Sequence, residues 1–108
     1  MMNLLTLFFA GLFFANGIPH FVNGISGRRF HSPFAKPFVK GRSSPFSNVL
    51  WGLANFAAAL ALLRELPELM PGFNSGFIAF VCGFGVAAIG LSILFGNLID
   101  ETKKGETN

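Results

Sequence analysis

Three long apolar runs leave this chain few folds to choose from. The first extends from about Leu4 to Ile25, the second from about Pro45 to Leu66 and the third from about Phe73 to Ile99. Apart from Arg64 and Glu65 at the end of the second, none contains a charged side chain. At about 1.5 Å per residue, each is long enough as a helix to cross a hydrocarbon layer of about 30 Å. Only 12% of the residues are charged, against about 25% in a soluble domain. A small soluble fold needs a polar shell around its core, and too little charge is present here to make one. The sequence therefore predicts an all-α fold: one integral membrane domain, a bundle of about three transmembrane helices.

The first run is uninterrupted through Phe14, then passes through NGIPHFVNG, with Gly17, Pro19 and Gly24. Pro19 has no N–H for the carbonyl of Ala15, so a kink or break is expected near Pro19. No Lys or Arg precedes the run and no A-x-A site follows it, which favours a retained helix over a cleaved signal. Residues 26–47 form a basic loop in which Pro-Phe recurs at Pro33-Phe34, Pro37-Phe38 and Pro45-Phe46. The expectation is a segment on the membrane surface, rings dipped in and cations at the headgroups. In the second helix, Ser44 suits the N-cap and Pro45 the first turn, and Pro67 must end it by Leu66. The turn RELPELMPG follows, then the third helix, then a polar tail, 100–108, expected to be disordered.

Orientation follows from Lys and Arg. Arg28, Arg29, Lys36, Lys40 and Arg42 occupy the first loop without an acid, and Lys103 and Lys104 lie in the tail. The second loop has only Arg64, beside Glu65 and Glu68. The first loop and the C-terminus are expected in the cytoplasm and the N-terminus outside. The five loop cations are expected to contact anionic phospholipid headgroups rather than nucleic acid, because they sit between hydrophobic segments.

At about 100° per residue, Gly76, Ala79, Gly83, Ala87 and Gly90 fall on one stripe of the third helix, a seam for close packing in lipid. Phe73, Phe77, Phe80 and Phe84 form a second stripe, expected to face lipid or a partner. On the second helix Ser44, Asn48, Gly52, Asn55 and Ala59 share a face, and on the first Asn16, His20, Asn23 and Gly27 do. With Asn97, the residues Asn16, His20, Asn23, Asn48 and Asn55 make an intramembrane polar cluster in the cytoplasmic half. Such groups act as hydrogen-bonding adhesive between helices, or mark a substrate or proton path. His20, beside the Pro19 distortion, is the first candidate if a site exists.

Other chemistry has little support. No acid lies inside the spans proper and no Ser/His/acid or Cys/base arrangement is evident, so no catalytic residue, cofactor or metal ligand set is assigned. The lone Cys82 is expected to be a buried, inert thiol.

The strings NGIPHFVNGISGRRFHSPFAKP and SSPFSNVLWGLAN resemble a group of small bacterial integral membrane proteins that share NGIPHF, SGRxF and NVLWGxxN elements. The resemblance implies a bacterial origin, so that a multi-pass protein with these three runs is expected in the inner membrane, and it attaches no activity. A likeness to small fluoride channels fails on architecture: those use four helices in both orientations, whereas this chain has three runs and a strong charge bias. Two functions follow as expectations. The first is a non-enzymatic accessory or interaction protein working with a membrane-protein partner; a closed homo-oligomer, the other association expected, favours the second. The second is a subunit of an oligomeric small-solute or ion transporter or channel, with a polar pocket open to the cytoplasm.

Overall fold

The computed structural model describes residues 4–64 and 75–107, the side chains of residues 102 and 105–107 apart. It contains helices α1 (Leu4–Ile25), α2 (Pro45–Leu62) and α3 (Ser75–Thr107), with strands β1 (Phe30–His31) and β2 (Arg42–Ser43) between α1 and α2. The spans Leu4–Ile25, Pro45–Leu62 and Ser75–Glu101 are long and apolar enough to cross a membrane. Beyond Arg64, the expected second loop with Glu65, Pro67 and Glu68, and Phe73 of the Phe stripe, lie outside the described residues.

α1 is the central helix. It packs along both α2 and α3, which scarcely touch each other among the described residues. Glycines make the approach close enough for dispersion contacts to hold helices together in lipid. At the α1–α2 crossing, a Cβ on Gly17 would lie 2.9 Å from the Gly52 carbonyl oxygen, and one on Gly52 only 2.8 Å from the Phe21 nitrogen. At the α1–α3 crossing, Gly11 meets the backbone of Phe80 and Phe84, and Gly83 meets that of Phe8. Leu7, Ala10 and Leu63 are buried beside this crossing, with Ala79 and Phe80 packed on them.

Five expectations are corrected. The first helix is not broken: α1 continues through Pro19 as one 22-residue element. Continuing strands little more than the Ala15 carbonyl, whereas a break in lipid would strand several backbone groups. The helix stops after Ile25 by a glycine cap. Gly27 has φ of 76°, its N–H donates to the Gly24 carbonyl, and the Arg28 N–H donates to that of Asn23. α2 opens with Ser44 accepting from the Ser47 N–H and Pro45 in the first turn, and it ends at Leu62 rather than Leu66. A proline ring clashes with the carbonyl four residues back, which for Pro67 is that of Leu63.

The tail is helical, not disordered, because α3 runs to Thr107. It contains no Pro, its Glu and Lys favour helix, and Asp100 precedes Lys104 by four residues, the order that suits a helix C-terminus. The Phe stripe does not point away from the bundle. Phe80 and Phe84 are half-buried, with ring centroids 6.3 and 6.2 Å from that of Phe14 on α1. Cys82 is exposed on α3 rather than buried. The α1-facing side of this turn is taken by Gly83 and Phe84, and in a membrane the thiol would meet acyl chains.

Candidate functional site

The polar groups of α1 and α2 meet along their shared seam and satisfy one another. Asn16 donates to the Asn55 side-chain oxygen at 2.9 Å, and Asn55 donates to the Trp51 carbonyl at 2.8 Å. One turn nearer the loop, His20 Nδ1 lies 3.0 Å from Asn48 Oδ1. Asn48 is fully buried, and its Nδ2 faces the carbonyls of Phe30, Ser43 and Ser44 at 3.2, 3.2 and 3.1 Å. Carbonyls only accept, so the amide orientation is fixed and Oδ1 must be the acceptor toward His20. His20 therefore donates from Nδ1.

The rings of Phe30, Trp51 and Phe95 stand edge-on around His20, with centroids 5.6, 6.3 and 5.8 Å away. One buried pair thus joins α1 to α2, and reaches β1 and α3 through its surroundings. Among the described residues, no buried side-chain nitrogen or oxygen lacks a partner.

The loop is a folded unit. β1 and β2 pair antiparallel, with Phe30 opposite Ser43 and His31 opposite Arg42. The Ser32 and Ser43 hydroxyls bond across the strands. His31 is buried, and its Nδ1 lies 3.1, 3.0 and 3.2 Å from the carbonyl oxygens of Val39, Lys40 and Gly41. Three acceptors around one nitrogen require that nitrogen to carry the proton. Val39 has φ of 64°, rare for a β-branched residue, at the start of this ring of carbonyls. The outward rings of the loop are Phe34 and Phe38, with Phe46 at the start of α2.

Beside this unit lies a cavity of about 400 Å³. Its cations are Arg28 and Arg29 from the turn after α1, Arg42 from β2 and Lys103 from α3, and its other walls include Asn23 and His31. The basic loop and the helical tail thus lie at one end of the molecule. A second cavity, about 340 Å³ and apolar, runs between α1 and α3 past Ile18, Phe84, Ala88 and Leu91. Phe30 and Ile99 line both.

The sequence-derived residues divide accordingly. Asn16, His20, Asn48 and Asn55 come together as two bonded pairs. Asn23 stands apart from them, donating to the Pro19 carbonyl at 2.7 Å and accepting from Arg28 Nε at 2.9 Å. Asn97 is exposed and joins neither group, because Phe95 and Leu98 set the inward face of α3 at this level. Arg28, Arg29 and Arg42 share the basic cavity, whereas Lys36 and Lys40 are exposed and do not line it. Of the glycine and alanine stripe, Gly76 and Gly83 are buried and Ala79 and Ala87 half-buried. Gly90 is exposed, with open space around its Cα. The stripe is a seam over its first half only.

Sequence reasoning missed His31 altogether and used Lys103 only to count charge. The signal for Lys103 was its spacing of four from Ile99, which puts both on one helical face. Among the described residues, no group of three His, Cys, Asp or Glu could hold a metal ion. Comparison with family models, curated proteins and solved structures finds no match for the chain.

Proposed function

We propose that the protein is a non-enzymatic interaction or accessory protein of a bacterial inner membrane, serving a larger membrane assembly. The observation that carries this reading is the closed bonding of the polar cluster. Asn16 donates to Asn55 and His20 to Asn48, and the amides of Asn48 and Asn55 donate to backbone carbonyls, which suits adhesive between helices better than a solute path. α3 adds support. Within its span Ser75–Glu101 only Gly76, Gly83 and Leu98 are buried, so most of its apolar surface is available to another membrane helix.

The basic loop and the tail favour the cytoplasmic side, and the N-terminus the outside, by their Lys and Arg content. Reporter fusions after Asn108 are expected to be active only with a cytoplasmic reporter. A periplasmically active fusion there would overturn the orientation.

Purification in mild detergent followed by native mass measurement tests the function. A stable complex with a different membrane protein is the expected result. A closed homo-oligomer would instead support the channel-subunit reading and overturn this one. The specific observation behind that alternative is a cleft at membrane depth, lined by Asn16 with Leu12, Ala87 and Gly90, which oligomerisation could close.

A further inference from the structure

We propose that the basic cavity and the apolar crevice form one binding site for an anionic phospholipid, its phosphate among the cations and one acyl chain between α1 and α3. This rests on the membrane-spanning architecture and not on the accessory role.

Three observations carry it. The cavity gathers four cations from three separate segments, Arg28 and Arg29, Arg42, and Lys103, and no acid lines it. Exposed arginines and lysines held around a space of about 400 Å³ repel one another, and a phosphate relieves that repulsion while accepting their hydrogen bonds. The crevice beside it is apolar, and its one hydroxyl, on Ser92, is bonded to the carbonyl of Ile89 in its own helix. The two spaces are continuous in their walls, since Phe30 and Ile99 line both. A charged head and a greasy tail are thus accommodated side by side, with the head at the end of the span and the tail within it. Basic pockets between membrane helices suit such lipids.

Charge also selects the head. A zwitterionic lipid would bring an ammonium group into a ring of four cations, whereas a phosphatidylglycerol head brings only the phosphodiester charge. Lys36 and Lys40, equally basic but outside the cavity, serve as an internal control.

Native mass measurement of the full chain in detergent, with added phosphatidylglycerol or phosphatidylethanolamine, tests the site. Wild-type protein is expected to retain one phosphatidylglycerol, at least about tenfold in preference to phosphatidylethanolamine. The pair Arg42→Gln with Lys103→Gln should lose it by about tenfold or more, and Lys36→Gln with Lys40→Gln should keep it. Ala88→Phe fills the crevice without touching a cation, and it too should lose the lipid. Equal loss from the two charge-matched pairs would overturn the site in favour of general surface attraction. Retention by Ala88→Phe, or displacement of the lipid by inorganic phosphate alone, would show an anion pocket without an acyl component. Lack of headgroup preference in the wild-type protein would overturn the proposal independently of any variant.

Discussion

The two seams of α1 are built differently. Against α2, close glycine packing is combined with the pairs Asn16–Asn55 and His20–Asn48. Against α3, the crossing at Gly11 and Gly83 is surrounded by the rings of Phe14, Phe80 and Phe84. Dispersion favours contact over much of a helix surface, whereas a buried hydrogen bond is satisfied in only one register. The α1–α2 seam therefore fixes alignment, and through Asn48 it also fixes the loop. The α1–α3 seam leaves more freedom, in keeping with clefts on both of its sides.

The largest expected effect comes from Asn48→Asp. The change is nearly isosteric, yet it replaces the amide donor with a carboxylate oxygen facing the Phe30, Ser43 and Ser44 carbonyls. Loss of about 3 kcal/mol or more is expected in thermal unfolding of the purified protein. Wild-type stability in this variant would break the claim that Asn48 anchors α2 to the loop.

A smaller effect separates the seams by sterics. Gly52→Leu and Gly83→Leu each place a side chain where backbone now stands, and each should lower stability by about 1–3 kcal/mol. The same change at Gly90, where a Cβ meets open space, should leave the isolated protein at least as stable as wild type. Destabilisation of Gly90→Leu as severe as that of Gly83→Leu would show that α3 packs along its whole stripe. At the small end, Gly96→Ala also meets open space and should raise the melting temperature slightly, by roughly 0.5–1 kcal/mol of stability.

Much of the architecture is legible in the sequence, because lipid leaves the backbone little choice but helix. Three spans follow from three apolar runs, and the buried face of α2, Asn48, Gly52, Asn55 and Ala59, follows from helical spacing. Pro19 misleads because its local penalty is smaller than that of breaking a helix in lipid. Asn97 misleads because periodicity places it near a stripe, while the bulk of Phe95 and Leu98 decides how α3 turns toward α1.

The site is less legible. The three carbonyls around His31 belong to loop residues whose side chains carry no sign of it. The basic cavity depends on two segments sixty residues or more apart in sequence, Arg42 and Lys103, meeting at one end of the fold. Charge counting finds such cations but does not distinguish Arg42 from Lys40.

The central claim is that the intramembrane polar pairs are adhesive between α1 and α2. A double-mutant cycle on His20→Leu and Asn48→Leu, read by thermal unfolding in one detergent, tests it most directly. Each single change is expected to destabilise, and the pair is expected to show a coupling of about 1 kcal/mol, within the range for hydrogen bonds between membrane helices. Strictly additive losses, or a stable His20→Leu protein, would contradict the account.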